Sequence, residues 1–443
     1  MNAKILFKLS QISGWVLLFL TTLFFISGYG MTKQIIPVGL ATWLHNRILP
    51  IPFLIFLVLH CLFPVRNLLR RTSSKTIFAF LFSVLVVGLA GFFIFRSEKA
   101  SRETVEDFHP AKFYENLGNK IVRCNLCPNH CVLSPGQIGL CKARKNVDGK
   151  LYSMVYGKIA SVHLDPVEKK PLFHFLPGSL IYSISTTGCN LQCKFCQNWQ
   201  ISQVFPWEAE TKKMSPEEVV EEAIKSGAKA IAFTYNEPTV YYEYMEDIAK
   251  LAKEKGLKTV VISAGYINEE PLKELLPYID AYKIDFKGVD NKFYQKMTVS
   301  GRVEPVMEAM KIIKKSGTWL EIVNLVIPGE NDSEEDLRKL ILWIKENLGT
   351  DVPLHFTRFH PDYKLLNIPP TPLETLKKAR KMAMDLGLKY VYIGNVDDLE
   401  GSTTYCPESK EPAIIRKGFF VLQNNLNEEG QCKTGEKIPG IWK

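Results

Sequence analysis

The chain has 443 residues, enough for two or three domains and for a catalytic domain with a full hydrophobic core. Its formal net charge of +9 is modest for this length, and no block of lysine and arginine marks a nucleic-acid-binding arm, so we expect no nucleic-acid partner. The 10 cysteines are clustered, which in a large chain indicates metal binding rather than a disulfide scaffold.

Residues 1–97 are predicted to form a transmembrane segment. Three apolar runs, at 13–30, 49–65 and 76–95, have about the length that a helix needs to cross a bilayer. The first is too long for a removable signal peptide and lacks a clear cleavage site. We therefore expect a bundle of three transmembrane helices and a multi-pass protein of the cell membrane. The flanking positive charges give no consistent orientation, and the chemistry argued below favours a cytoplasmic catalytic domain.

Two histidines, His45 and His60, lie in or beside the second apolar run. Histidines within a membrane are candidates for a functional role, and the surrounding sequence faintly resembles the membrane anchors of b-type cytochromes, which implies haem ligation. On one helix the two would be about 22 Å apart, too far to share one iron. Interfacial histidines without a cofactor are the preferred interpretation.

The remaining chain divides by composition into four parts. We predict a polar linker at 98–120, a cysteine-rich metal-binding segment at 121–160, a barrel at 161–400 and a tail at 401–443. Between 161 and 400, seven β-rich runs alternate with amphipathic helical stretches, the first of which opens with a capping box at Ser215 and Glu218. The seven runs are SLIYSIST, KAIAFTY, KTVVISA, AYKIDF, TWLEIVNLVI, PLHFTRF and KYVYIG.

This alternation predicts an α/β fold with a parallel sheet, arranged as a partial or complete (β/α) barrel. In such barrels the chemistry lies at the carboxyl ends of the strands. The stretch TTGCNLQCKFCQNWQIS (186–202) follows the first predicted strand and contains Cys189, Cys193 and Cys196. Four thiolates would close an iron–sulfur or zinc site, whereas three leave one coordination position open. A zinc site completed by histidine is disfavoured, because no histidine lies nearby in the sequence.

The spacing Cys-x3-Cys-x2-Cys, with the aromatic Phe195 before the last cysteine, resembles that of the radical S-adenosylmethionine (SAM) enzymes. The resemblance implies a [4Fe–4S] cluster whose fourth iron binds SAM, and cleavage of SAM to a 5′-deoxyadenosyl radical. TYNEPT (234–239) is similar to the family's Gly-Gly-Glu-Pro turn, which implies cofactor-binding roles for Asn236 and Glu237, the latter at the SAM amino group. KIDFKG (283–288) resembles a motif of pyruvate formate-lyase-activating enzymes and implies that Asp285 and Lys287 lie near the cofactor.

A narrower resemblance, over residues 121–443, is to the radical enzyme of the AmmeMemoRadiSam group. It rests on the three-cysteine stretch, HFTRFHPDYK (355–364), YVYIGN (390–395) and DPVEKKPLFHFLPGS (165–179). The last of these motifs contains a charged patch, which is either a solvated loop or a group that closes over substrate or cofactor. The patch comprises Asp165, Glu168, Lys169, Lys170 and His174.

A second cysteine group lies before the barrel and supplies four thiolates, which would saturate a metal site. We predict that it holds either a second [4Fe–4S] cluster, which is slightly favoured, or structural zinc. Its members are Cys124, Cys127, Cys131 and Cys141. The tail resembles a zinc ribbon that has lost half its ligands, because Ser409 and Gly435 stand where cysteines would be. We expect Cys406 and Cys432 to bind no metal and to be free thiols or, outside the cytosol, a disulfide.

The leading hypothesis is a membrane-anchored radical SAM enzyme that abstracts hydrogen from an unidentified substrate. Its similarity to activating enzymes suggests a partner protein as that substrate, and reduction of the cluster requires a donor such as flavodoxin or ferredoxin. The alternative is a membrane electron-transfer protein that passes electrons between haem and iron–sulfur clusters without radical chemistry.

Overall fold

The computed structural model describes residues 8, 11–23, 49, 52–53, 55–57, 60 and 108–443. The chain divides into two units, Met1–Glu103 and Thr104–Lys443, which are described separately. In the first unit, residues 11–23 are helical. No helix in the described ranges is long and apolar enough to span a bilayer, which takes about 20 residues.

This finding contradicts the predicted localisation as a multi-pass protein of the cell membrane. The described helix at 11–23 covers only part of the first predicted span. The second predicted span, 49–65, is described only at scattered positions, and the third, 76–95, lies outside the described residues. The predicted bundle of three transmembrane helices is therefore without support.

The second unit begins with two small antiparallel sheets that surround the four predicted metal-binding cysteines. Their strand orders are β1-β6-β5 and β2-β3-β4. Their strands are β1 His109–Pro110, β2 Tyr114–Asn116, β3 Val122–Cys124, β4 Val132–Leu133, β5 Arg144–Val147 and β6 Lys150–Ser153.

The centre of the second unit is an eight-stranded sheet, with the order β16-β15-β14-β13-β12-β11-β9-β8. Strand β8 pairs antiparallel with β9, and all the other pairs are parallel. A small ladder, β7 with β10, lies apart from it. The strands are β7 Lys158–Ile159, β8 Ser161–Pro166, β9 Leu180–Ser185, β10 Lys212–Lys213, β11 Ala230–Phe233, β12 Lys258–Ser263, β13 Ala281–Asp285, β14 Trp319–Val326, β15 Leu354–Arg358 and β16 Val391–Gly394.

The seven parallel strands coincide with the seven β-rich runs of the sequence, so the predicted α/β fold is confirmed. Because β8 and β16 form the two edges of the sheet, the barrel is partial. Strand β11 is buried at every residue, as expected for a parallel strand that is covered on both faces.

Helices connect the parallel strands. The longer ones are amphipathic and pack their apolar face against the sheet. The predicted capping box is confirmed: Ser215 Oγ accepts from Glu218 N at 3.3 Å, and Glu218 Oε2 accepts from Ser215 N at 2.6 Å. The helices are α1 Trp199–Ser202, α2 Pro216–Lys225, α3 Tyr242–Glu254, α4 Glu269–Leu275, α5 Asn291–Phe293, α6 Val303–Ser316, α7 Glu334–Leu348, α8 Leu373–Asp385 and α9 Leu399–Ser402. Single turns of 3₁₀ helix lie at Val167–Lys169, Pro206–Glu208, Pro238–Tyr241 and Leu276–Tyr278, and a π-helix lies at Tyr294–Thr298.

The tail forms a third antiparallel sheet, with the order β17-β18-β19. Its strands are β17 Thr404–Tyr405, β18 Pro412–Lys417 and β19 Phe420–Asn424. Of the two states expected for the tail cysteines, the structure has the disulfide, Cys406–Cys432. The tail packs onto the barrel through Phe173, Tyr390 and Tyr392.

Candidate functional site at the carboxyl ends of the strands

A cavity of about 1090 Å³ opens at the carboxyl ends of the parallel strands. Seven of the predicted site residues line it, although they lie on three separate segments of the chain, after β9, after β11 and at the end of β13. They are Cys189, Cys193, Cys196, Asn236, Glu237, Asp285 and Lys287. The four earlier cysteines are not among the residues that line this cavity in the described part of the chain.

We call residues 186–198 the three-thiol loop. Backbone hydrogen bonds hold it from two sides: Gln192 N donates to Thr298 O at 3.0 Å, and Lys364 N donates to Lys194 O at 2.9 Å. The first of these partners ends the π-helix, a distortion that is common at functional sites. The loop therefore presents its three thiols from a fixed backbone.

Burial raises the pKa of all three thiols in this loop, and that of Cys193 to about 12. The thiols are therefore neutral at pH 7 when no metal is bound. Since the thiolate is the ligand, cluster binding must release their protons. The positive charge of Lys287 partly offsets the effect of burial, because it lowers the pKa of Cys193 and Cys196 and so favours the thiolates.

No group of three or more His, Cys, Asp or Glu side chains in the described ranges is arranged around a single metal ion. In an iron–sulfur cluster each thiolate binds a different iron, so cluster thiolates lie further apart than the ligands of one ion. The donor set of the three-thiol loop, which contains only sulfur, is the one that such clusters use.

Asn236 and Glu237 follow β11 and face the cavity. Glu237 already accepts four hydrogen bonds, from Ser263 Oγ at 2.6 Å, Ala264 N at 2.8 Å, Thr239 Oγ1 at 2.8 Å and Thr239 N at 3.3 Å. It thus ties the ends of β11 and β12 together, and its predicted contact with the SAM amino group stays a prediction.

Asn236 has a free acceptor on the cavity wall. Its Nδ2 donates to Gly188 O at 2.9 Å, which fastens the three-thiol loop. Its buried Oδ1 has no hydrogen-bond partner within the described residues. An unsatisfied buried acceptor costs free energy, and an ammonium group such as that of SAM would satisfy it. The site therefore fits the cofactor that the sequence implies.

Asp285 ends β13 and is shared by two lysines. Lys283 donates to one carboxylate oxygen, and Lys287 lies 3.4 Å from the other. Burial opposes the charge on Asp285, but the two lysines outweigh it and lower its pKa. Burial also disfavours the charge on Lys287, but Asp285 and then Cys193 outweigh it and raise its pKa. Lys283 also lines the cavity, although sequence reasoning did not single it out.

Asp165 forms a second group of this kind, with Lys169 at 2.9 Å and Lys170 at 2.5 Å. Tyr235 donates its hydroxyl to the same carboxylate. Burial lowers the pKa of Lys170 to about 8, while its partners hold that of Asp165 well below the usual range. Asp165 and Lys170 are each 4% exposed, so the solvated-loop interpretation is wrong for them.

The sequence did not predict a role for Tyr235, although it lies in the motif TYNEPT. Its φ of 68° is in the left-handed region, which is uncommon for a residue other than glycine. Lys170 lies 4.8 Å from the centre of its ring. Such backbone strain often accompanies functional sites.

The other two members of the charged patch contact the tail. Glu168 lines the cavity and lies 3.5 Å from Arg416 of the tail. His174 is fully buried and does not line the cavity. Its two ring nitrogens bond to Tyr392 Oη at 2.6 Å and Pro439 O at 2.8 Å. We infer that His174 anchors the tail.

We call Cys124, Cys127, Cys131 and Cys141 the four-thiol group. Cys124 N donates to Cys131 O at 3.0 Å, which places the two residues side by side on β3 and the turn before β4. The group adjoins the three-thiol loop, because Cys189 N donates to Cys141 O at 3.2 Å. Which metal it holds stays a prediction.

Of the two haem candidates, His45 lies outside the described residues. His60 Nδ1 is 3.4 Å from Ser13 Oγ. Haem ligation stays a prediction, and no observation in the described residues favours it.

Residues 183–341 match the family model of the radical SAM superfamily. An uncharacterized protein of Methanocaldococcus jannaschii is 48% identical over 330 residues, which cover 74% of this chain and 98% of that protein. The pyruvate formate-lyase-activating enzyme of Clostridium pasteurianum is 28% identical, over 45% of this chain and 88% of the enzyme. The enzyme of the same name from Staphylococcus epidermidis is 26% identical, over 46% of this chain and 88% of the enzyme.

The fold and the site define an α/β radical SAM domain, and the chain belongs to the radical SAM superfamily. It is a radical SAM enzyme that uses a [4Fe–4S] cluster and SAM. The predicted enzyme class, its two main cofactors and the similarity to activating enzymes are thereby confirmed. These similarities do not show membership of the AmmeMemoRadiSam group, so that narrower resemblance stays a prediction.

Proposed function

We propose that this enzyme takes a hydrogen atom from a peptide segment of a partner protein. The observation that carries the proposal is the similarity to pyruvate formate-lyase-activating enzymes over 88% of their length, because their name describes action on a second protein. That similarity extends over 219 and 229 residues, far beyond the cysteine motif.

The rim of the cavity supports a macromolecular substrate. The turn between β18 and β19, together with the start of β19, lines the cavity with large apolar side chains. Phe419, Phe420 and Leu422 are 42%, 69% and 61% exposed. Exposed apolar side chains grouped at the mouth of a polar site are typical of a protein-binding surface.

Strand β19 offers a way to hold an extended peptide. It is an edge strand of the tail sheet, since the strand order is β17-β18-β19. Edge strands can pair with a strand from another chain, and alternate side chains of the added strand then give specificity. A peptide paired with β19 would pass beside Phe420 and Leu422, at the mouth of the cavity.

The site residues have separate tasks under this proposal. When bound, the cluster supplies one electron to SAM, which yields methionine and the 5′-deoxyadenosyl radical. When SAM is bound, Asn236 Oδ1 would accept from its amino group, and Lys283 and Lys287, which flank Asp285, would supply positive charge for the SAM carboxylate. Apolar side chains such as Leu191, Val323 and Leu325 line the cavity and limit water around the radical.

We also propose the narrower membership of the AmmeMemoRadiSam group. The motif DPVEKKPLFHFLPGS supports it, because its charged residues are not a solvated loop. Glu168 and Lys170 are buried and line the cavity, and the buried Asp165 pairs with Lys170. The test is the same search for a protein substrate.

The experiment uses a deuterated lysate as the source of hydrogen. The lysate is separated into a macromolecular and a small-molecule fraction, and each is incubated with the reduced full-length enzyme and unlabelled SAM. The mass of the 5′-deoxyadenosine formed is then measured by mass spectrometry. We expect a one-deuterium gain from the macromolecular fraction, abolished by prior protease treatment. A gain from the small-molecule fraction alone would contradict a protein substrate.

A matched pair of variants tests the apolar rim. We expect Phe420→Ser to lower deuterium transfer about tenfold, the loss typical of an important interface side chain, while cleavage of SAM without substrate continues. Ile224→Ser on α2 is the control, since Ile224 is 48% exposed and does not line the cavity. Equal transfer by both variants would exclude the rim as the binding surface.

A further inference from the structure

We propose that the four-thiol group holds a second [4Fe–4S] cluster with no open iron, and that this cluster passes electrons one at a time to the cluster of the three-thiol loop. Four thiolates saturate such a cluster, so it can exchange electrons but cannot bind SAM. The inference is independent of the substrate proposed above.

The four thiols converge in the folded chain. The sulfurs of Cys131 and Cys141 lie 4.0 and 3.6 Å from the position that a β-carbon on Gly139 would occupy. Cys124 N also donates to Cys131 O at 3.0 Å, so the segments that carry three of the four cysteines adjoin one another. Neighbouring thiolates repel one another, and a metal centre removes that repulsion.

A buried cation without a full set of partners lies beside the thiols. Arg144 is 1% exposed and pairs with Glu243 at 2.5 Å. Its Nε has no hydrogen-bond partner within the described residues. Arg144 adjoins the segment that carries the thiols, because Gly139 N donates to Arg144 O at 2.8 Å. A buried guanidinium with a free N–H fits beside an anionic cluster, whose sulfurs accept hydrogen bonds.

The two cysteine groups are joined directly through their backbones. The hydrogen bond from Cys189 N to Cys141 O, at 3.2 Å, connects one ligand of each proposed cluster. Standard bond lengths limit the separation of the two sulfurs to about 12 Å. A second contact, from Asn129 Nδ2 to Asn190 O at 2.8 Å, links the same two segments.

Gly188 makes this close approach possible. Its φ of +90° is in the region that favours glycine, and a β-carbon there would overlap the carbonyl oxygen of Cys141. The chain thus has a residue without a side chain where the two cysteine segments meet.

The electron balance is simple. A low-potential one-electron carrier protein, of the flavodoxin or ferredoxin class, gives one electron to the second cluster and is oxidised. The second cluster returns to its oxidised state when the first is reduced, and SAM receives that electron on cleavage.

The four thiols do not line the cavity in the described part of the chain, so this route avoids the substrate. Val132 and Leu140, which adjoin two of the ligands in sequence, are 53% and 40% exposed, so this side is open to a carrier.

The test compares full-length wild type with Cys131→Ser after anaerobic reconstitution. We expect about eight irons per chain in the wild type and about four in the variant, as two [4Fe–4S] clusters require. The rate of 5′-deoxyadenosine formation is then measured with reduced flavodoxin and with dithionite. We expect the ratio of the two rates to fall at least tenfold in the variant.

A measurement on the wild type alone covers the case in which the variant does not fold. In the dithionite-reduced enzyme, two clusters this close must broaden each other's electron paramagnetic resonance signals, and only one signal must shift when SAM is added. Zinc in place of four irons, a single unbroadened signal, or an unchanged rate ratio would each overturn the proposal.

Discussion

The three-thiol loop and the four-thiol group are adjacent, and both are buried enough to raise the pKa of cysteine side chains. They differ in ligand number and in their relation to the cavity. Every cysteine of the first lines the cavity, and none of the second does so among the described residues. The difference separates a centre that can bind a cofactor from one that can only exchange electrons.

Their surroundings differ in the same sense. Beside the three-thiol loop lie an unpaired acceptor, Asn236 Oδ1, and the ion-paired Lys287, which are groups that suit an amino acid moiety. Beside the four-thiol group lies Arg144, which is buried and does not line the cavity. A cluster saturated by four thiolates requires a nearby cation to compensate its charge, but no space for a further ligand.

The largest expected effect comes from Cys193→Ser in the three-thiol loop. It removes an iron ligand at the SAM site, so 5′-deoxyadenosine formation with dithionite should fall more than about 1000-fold, or about 4 kcal/mol. The counterpart is Cys127→Ser in the four-thiol group, which should retain at least about a tenth of the dithionite-driven rate. If the two variants lose the dithionite-driven rate equally, the two thiol groups do not have separate roles.

The next effect concerns the charge beside the cluster. Lys287→Met removes a buried cation that pairs with Asp285, so the KM for SAM should rise by about 10- to 100-fold. Lys311→Met, on the outer helix α6, is the control, because its ion pair with Glu308 is exposed. If both variants bind SAM like the wild type, the Asp285 group does not hold the cofactor.

A glycine pair tests the contact between the two regions. Gly188→Ala introduces both a left-handed alanine and a clash with Cys141, whereas Gly118→Ala has a similar φ, +86°, but open space around its β-carbon. We expect thermal unfolding to show a loss of about 1 kcal/mol for Gly118→Ala and about 1–2 kcal/mol more for Gly188→Ala. The Gly188 variant should also slow reduction by flavodoxin. If Gly188→Ala and Gly118→Ala lose the same free energy of unfolding, Gly188 does not lie in tight contact with Cys141.

Acid should lower the stability contributed by the pair of Glu321 and His355, which belongs to neither thiol region. Burial would raise the pKa of Glu321, but a hydrogen bond from His355 outweighs it and lowers the pKa to about 2. A lowered pKa stabilises the fold above the unfolded value of 4.5, and that contribution is lost as the pH falls towards 2. At pH 3.5 the loss should be about 1 kcal/mol relative to pH 7.

The measurement is urea unfolding of cluster-free full chain at both pH values. The stability gap between wild type and Glu321→Gln should narrow at pH 3.5, whereas Glu335→Gln, at an exposed position, should follow the wild type throughout. A gap that widens in acid would show that Glu321 is not an ionised acceptor in the fold.

The sequence predicted the features that have a period or a spacing. Seven strands were visible because parallel strands are long apolar runs, and the capping box at Ser215 has a fixed offset. The cysteine spacings identified both thiol groups. The cavity then brings together the residues that follow successive strands, as the carboxyl ends of a parallel sheet must.

Features without a period were missed. Strands of two or three residues, such as β1 and β4, are too short to show alternation. The partners of Asp165 and Glu168 include Tyr235 and Arg416, which are distant in the chain, so their burial had no local signal. The same holds for the contact of Cys141 with Cys189. The predicted membrane placement failed because apolar length alone does not establish a spanning helix.

The most direct test of the central claim is whether SAM binds the cluster of the three-thiol loop. The dithionite-reduced full-length enzyme is mixed with SAM labelled with ¹⁵N at the amino group, and electron–nuclear double resonance is recorded. We predict a hyperfine coupling from ¹⁵N to the reduced cluster in the wild type and in Cys131→Ser. An intact reduced cluster with no coupling, at saturating SAM, would contradict the assignment of the open iron to Cys189, Cys193 and Cys196.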